Sequence, residues 1–336
     1  MKPTDFSRYL TYFLTNYLPH EKGVSSNTIS SYKNTFVLYI TFMKEKGIKV
    51  DNLTFQQMTK DSVVCFLDWI QTERKCTNST RNARLSAIHS FMRYLQYQLP
   101  ENLYECQKIL SIQLKKSPIT SINYLSIDGI TCLLQQPDMT TVRGRRDLAL
   151  LSLMYDTGAR VQEIIDLTPS CLHLDKPTTI KITGKGQKTR IVPLLDNQVR
   201  LLKSYLIEHR LMESHASSNP IFFNSRSEKL TRAGVNHILF KYTSNARRTH
   251  KMLMPEKISC HSLRHSKAMH LLQAGVNLVY IRDILGHVSV QTTEVYARAD
   301  SKLKREALEK AYVDTSPRKT PVWLENEGLL KWLKSL

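Results

Sequence analysis

Up to about residue 113, apolar positions recur at helical spacing, broken by polar or Gly/Pro punctuation and never by the period-two alternation of strands. The pattern predicts four or five helices. The first runs from about Thr4 to Leu18 and stops at Pro19. The second follows Ser25, Ser26 and Asn27 as capping candidates, places Tyr32, Phe36, Tyr39, Ile40 and Phe42 at helical spacing, and ends at Gly47. A third begins near Thr59 and Asp61 and carries Val64, Phe66, Leu67 and Ile70. A fourth follows Asn78 and Ser79, holds Leu85, Ile88, Phe91, Met92 and Leu95, and ends before Pro100, and a short fifth spans Glu101 to Ile112. Such a set packs as an antiparallel bundle.

The stretch from Lys115 to Tyr124 breaks the periodicity with Pro118 and small polar residues, and reads as a linker. Beyond it the element types mix. Arg145 to Asp156 is an apolar-rich helix, expected to be buried. Thr178 to Thr183 and Lys188 to Pro193 read as short strands joined through Gly184-Lys185-Gly186-Gln187. Helices are expected at about Asp196 to Met212, Thr231 to Asn245, Ser262 to Ala274, Val276 to Leu285 and Ser301 to Tyr312. The chain therefore divides into a helical domain over 1–114, a linker over 115–125, a mostly helical α+β domain with a small antiparallel sheet over 126–312, and a tail over 313–336. Leucines and two tryptophans make the tail sticky, suited to packing on its own domain or on a neighbouring subunit.

Length and charge sharpen this picture. At 336 residues the chain exceeds the roughly 100–200 residues of one domain. Its 48 Lys+Arg against 29 Asp+Glu leave a formal charge of +19, a balance that attracts a polyanion, nucleic acid first. Six single cysteines, with no CxxC pair and no zinc-type His/Cys spacing, fit a reduced cytoplasmic chain. The opening MKPTDFSRYLTYFL is too polar for a signal peptide, and the run Leu148 to Tyr155 is too short to span a bilayer.

Four features of the second half bring together residue types that phosphodiester chemistry needs: Thr157-Gly158-Ala159-Arg160, Gly184-Lys185-Gly186, His261-Ser262-Leu263-Arg264, and Gly286-His287 followed by Tyr296. Taken singly, each has a commoner structural use as a helix start, a hairpin turn, a surface i, i+3 pair or a packing tyrosine. Together their residue types suit phosphodiester cleavage. Planar guanidinium groups at Arg160 and Arg264 can hold phosphate oxygens in a fork and stay charged in the transition state. A phenol at Tyr296, with an ordinary pKa of about 10, needs a base, and His261 is the candidate. Glu163, about a turn after Arg160, is placed to orient that arginine, although a solvated carboxylate would sit there equally well. In the helical domain Lys33, Arg81, Arg84 and Arg93 lie on or near helix starts and faces and are candidates for phosphate contacts.

The order Arg, GKG-hairpin Lys, HxxR, GH and closely following Tyr, behind a helical domain, resembles the tyrosine recombinase or phage integrase family. It is nearest to its two-domain Xer-like and transposon-borne members, over about residues 5–310. Ser262 stands where an Asp is common in the HxLRH motif, and the tail beyond Tyr312 exceeds a minimal member. The resemblance implies a SAM-like core-binding domain and a catalytic domain that clamp duplex DNA. It implies Tyr296 as nucleophile, Arg160, Arg264 and His287 on the scissile phosphate, and Lys185 as general acid to the departing 5′ oxygen. The 3′-phosphotyrosyl bond conserves the phosphodiester energy, so no metal or other cofactor is expected. The implied partners are double-stranded DNA, three further copies in a synaptic tetramer and accessory recombination proteins, in a nucleoid-associated cytoplasmic setting. Two other readings share these features: a catalytically silent DNA-binding accessory module, and a monomeric type IB topoisomerase-like relaxing enzyme.

Overall fold

The computed structural model describes residues 4–117, 122–299 and 327–335. The chain separates into two compact units, 1–120 and 121–336. The first contains α1 (Asp5–Tyr12), α2 (Ser26–Glu45), α3 (Lys60–Thr72), α4 (Asn78–Gln98) and α5 (Leu103–Leu110). Threonines start three of these helices. Thr4, Thr59 and Thr77 hold extended backbone, and their hydroxyls accept from the N–H groups of Ser7, Ser62 and Thr80 at 3.2, 3.2 and 3.3 Å. The cap of α4 is therefore Thr77 rather than Asn78 or Ser79.

The first helix differs from expectation. It does not end at Pro19 but continues beyond Tyr12 as a π-helical segment, Phe13–Glu21, with the proline inside. Proline lacks the N–H and crowds the carbonyl of an α-turn, and the wider winding avoids that crowding, with Lys22 N–H reaching five residues back to Tyr17 O at 2.9 Å. The segment thereby delivers Phe13 to the bundle centre. Its ring lies 5.0 Å from Phe91, which meets Phe36 edge-on at 5.1 Å, and α4 packs against α2, α3 and α5 around them.

The second unit contains α6 (Ile127–Leu134), α7 (Val142–Thr157), α8 (Val161–Ile165), β1 (Leu172–His173), β2 (Thr179–Thr183), β3 (Thr189–Pro193), α9 (Asp196–Glu208), α10 (Arg232–Thr249), α11 (Cys260–Gln273), α12 (Leu278–Leu285) and α13 (Gln291–Ala299). The sheet is antiparallel in the order β1-β2-β3, with Thr183 opposite Thr189 across the hairpin. Two-residue β1 and five-residue α8 are too short to show a period in sequence. Helix α7 is central: Ala149, Leu150, Leu151, Leu153 and Met154 are buried, and it packs on α9 and α11. A smaller cluster joins α11, α12 and α13 through Ala268, Met269, Leu272, Ile281, Leu285 and Tyr296. The expected helix Ser301 to Tyr312 and most of the tail lie outside the described residues, apart from a short helix, Glu327–Leu333. Among the described residues no helix is long and apolar enough to cross a membrane.

Candidate active site

Two of the motif side chains of the second unit, Arg160 and His287, are delivered by helix ends, and Arg264 and Tyr296 by the bodies of α11 and α13. Helix α7 stops at Gly158, whose φ of +57° is left-handed, and a Cβ there would lie 2.6 Å from Leu285 Cδ2. That turn sets Arg160 as the residue capping α8. Helix α12 stops the same way at Gly286, φ +67°, and His287 follows at once, its N–H bonded to Arg282 O at 3.0 Å. The two turns meet at Arg264. Its guanidinium is 3 % exposed and donates from Nη1 to Gly158 O and from Nη2 to Leu285 O, both at 2.7 Å, so one arginine staples both helix ends. Burial, with Arg160 nearby, brings its pKa down to about 10, and it remains charged at neutral pH.

Glu163 is 6 % exposed and carries two arginines. Arg160 donates from Nη1 to Oε1 at 2.8 Å and from its backbone N–H to Oε2 at 2.9 Å, while Arg190 on β3 donates from Nη2 to Oε2 at 2.7 Å. Burial alone would raise this carboxyl, but the bonds from Arg190 and Arg160 outweigh it and hold the pKa below the ordinary value. The alternative of a solvated carboxylate is thereby ruled out. These groups border a cleft of about 740 Å³ lined by Arg160, Gly184, Lys188, Arg190, Gly286 and His287, among others. The hairpin tip closes through Gly184 N–H to Lys188 O at 2.8 Å, with Gly186 at φ +74°. The side chain of Lys185 lies outside the described residues.

Tyr296, on α13, is 3 % exposed, and its hydroxyl lies 2.9 Å from Nδ1 of His265. The rings of His287 and Tyr296 are near-parallel, with centroids 6.4 Å apart, and Nδ1 of His287 is 2.9 Å from the buried Thr293 hydroxyl. Burial raises the phenol's pKa, and Arg264 and Arg160 pull it back. His287 is brought down to about 4 by burial and then by Arg264 and Arg160, so it is neutral at pH 7. His261, the base expected from the sequence, is exposed one turn before His265, with ring centroids 6.4 Å apart. The phenol's hydrogen bond thus goes to His265 instead, because α13 packs on α11 one turn further along. His265 closes the HxLRH stretch, which marked it in the sequence without giving it a role. Arg190 and Thr293 carried no local signal. Ser262 closes the start of α11, its hydroxyl 3.1 Å from Ser259 N.

In the first unit Lys33 and Arg93 are exposed. Arg84 is half-buried and donates to Ser31 O and Thr35 Oγ1 at 3.1 and 3.2 Å. Arg81 is 4 % exposed, with Nη1 3.5 Å from Asn82 Oδ1 and no hydrogen-bond partner for Nε among the described residues.

Residues 123–302 match the family described as "Phage integrase family", and residues 12–98 match "Phage integrase, N-terminal SAM-like domain". The chain is 33% identical over 338 residues to the integrase/recombinase y4rC of Sinorhizobium fredii, covering 100% of this chain and 99% of that protein. It is 34% identical over 283 residues to tyrosine recombinase XerD of Oceanobacillus iheyensis, covering 84% of this chain and 90% of that one. A similar solved structure is XerH site-specific recombinase bound to difH substrate, in a pre-cleavage complex: TM-score 0.65, 25% identity, 89% of this chain and 84% of that one.

Proposed function

This chain belongs to the phage integrase family and is a tyrosine-type site-specific DNA recombinase, and within that activity we propose the following division of labour. Tyr296 attacks the scissile phosphorus. The bond to the 5′ oxygen breaks, and the products are a 3′-phosphotyrosyl link and a 5′ hydroxyl, a step that a free 5′ hydroxyl reverses on rejoining. His265, rather than His261, takes the phenolic proton. Burial, then His261 and Arg264, lower its pKa, so at neutral pH it is an uncharged acceptor.

Arg160 and Arg264 hold the non-bridging oxygens, and the Leu285 and Gly158 carbonyls aim Arg264 in advance, which lowers the cost of organising charge in the transition state. Thr293 takes up Nδ1 of His287, leaving Nε2 to donate to a phosphate oxygen. Lys185 supplies the proton to the 5′ oxygen, as its place at the hairpin tip suggests. In the first unit Lys33, Arg84 and Arg93 supply phosphate contacts. The working assembly is a homotetramer on two duplexes, with accessory proteins, at the nucleoid in the cytoplasm.

The observation that carries this reading is the Tyr296 hydroxyl 2.9 Å from His265, with His287 stacked beside the ring and Arg264 stapling the ends of α7 and α12. The test is a nicked suicide duplex from the flanks of the gene, incubated with EDTA and resolved on a denaturing gel. A covalent adduct that disappears in Tyr296→Phe supports the assignment. An adduct that persists in that variant overturns it.

A further inference from the structure

Arg190 belongs to none of the motifs that suggested the chemistry, yet it touches three segments that carry it. It sits on β3, one residue after the hairpin closes. Its Nη2 donates to Glu163 Oε2 at 2.7 Å and its Nε to Ile284 O at 2.8 Å, the carbonyl next to the one that holds Arg264. Its side chain is 9% exposed. Gly286 presses against it so closely that a Cβ there would lie 2.9 Å from its Nη1 and 3.0 Å from its Cδ. The glycine before His287 therefore answers two demands at once, a left-handed turn and room for this arginine.

The geometry has an electrostatic consequence. Glu163 is a single buried charge facing two cations. With both in place, its negative charge is shared, and Arg160 is oriented by the carboxylate without being fully neutralised by it. Without Arg190 the buried carboxylate would have Arg160 alone, and would draw that guanidinium inward, away from a phosphate in the cleft. The carbonyl of Ile284 would lose its donor too, loosening the turn that carries His287.

Resting on the recombinase reading above, we infer that Arg190 is a positioning residue. It sets Arg160 through Glu163 and the His287 turn through Ile284, so that the β-hairpin and the phosphate clamp assemble as one unit. Arginine suits the task because its fork reaches two acceptors in different directions, whereas lysine offers a point charge that satisfies one.

The test is single-turnover cleavage of the nicked duplex at saturating protein, beside a binding titration on the same DNA, for wild type, Arg190→Gln, Arg190→Lys, Glu163→Gln and the Arg190→Gln/Glu163→Gln double variant. Wild-type adduct formation, lost in Tyr296→Phe, establishes the underlying reading independently. Arg190→Gln is expected to slow cleavage by roughly 10–100-fold, the usual effect of removing a group that orients a functional ligand, with affinity changed less than about threefold. Arg190→Lys is expected to recover part of the rate. The double variant should be no slower than Arg190→Gln, since neutralising Glu163 removes the unbalanced charge. Additive losses in the double variant, or a loss confined to affinity, would overturn the inference. If Arg190→Gln does not fold, as a melting curve would reveal, Arg190→Lys carries the test: a wild-type cleavage rate there would equally overturn it.

Discussion

The centre of the first unit and the candidate-site end of the second bury opposite kinds of material. The centre of the first is aromatic: Phe13, Phe36 and Phe91 converge there, and a buried cation, Arg81, has no partner for Nε among the described residues. The catalytic end of the second buries charge, and each buried group is answered: Arg264 by two carbonyls, Glu163 by two arginines, and Arg190 by Glu163 and Ile284. An aromatic core needs volume and tolerates a loosely held polar atom at its edge. A preorganised charged site needs every partner, because an unmet group in low dielectric costs more than a lost contact gains. The centre of the first unit is thus built for shape and the candidate-site end of the second for alignment.

Several substitutions would break or sharpen that contrast. The largest effect is expected from Tyr296→Phe, which removes the attacking oxygen and should abolish adduct formation while leaving binding intact. Next, Phe91→Ala should destabilise the first unit by about 3–5 kcal/mol through the cavity it leaves. Calorimetry should show the first unit's transition lowered and the second's unmoved, and a shift of both would mean the units do not melt independently.

Arg264→Ala should slow cleavage on the order of 10²–10³-fold, as for loss of one preorganised donor to a developing oxyanion. It should also lower the melting temperature of the second unit, since two buried carbonyls lose their donor. A rate loss without a stability loss would show that water replaces the guanidinium.

A smaller effect concerns pH. The folded pKa of His265 lies below its ordinary value of about 6.5, so the acceptor form is fully present at neutral pH and is lost only as pH falls through that lowered value. The cleavage rate should therefore be flat near neutrality and fall on the acid side, and His265→Gln should remove that limb. If His261→Gln removes it instead, the base is His261. The smallest effects belong to the first unit's cations. Lys33→Ala and Arg93→Ala should each reduce the salt dependence of binding by about one unit of slope, whereas Arg81→Met, a buried exchange, should leave it unchanged.

Periodicity and punctuation laid out the helical first half and the hairpin, because amphipathic spacing, caps and glycine turns are local properties of the chain. Arg160, Arg264, His287 and Tyr296 were singled out by the order of their motifs and its resemblance to the tyrosine recombinases, since each motif alone has a commoner structural use. That Arg81 is buried was not legible, because its place on α4 does not say which side chains the fold will cover. That the Tyr296 hydroxyl meets His265 and not His261 was decided by how α13 packs on α11, and both histidines share the helix that sequence had marked. Arg190 was invisible for a deeper reason. Its partners are 27 residues back and 94 residues on, and only the closure of the sheet against α8 and α12 brings a buried carboxylate and a helix-end carbonyl within one guanidinium's reach. The sequence by itself determined which groups were on offer; the tertiary structure decided which are charged together, which are shielded and which atom meets which, since those depend on distance and burial rather than order along the chain.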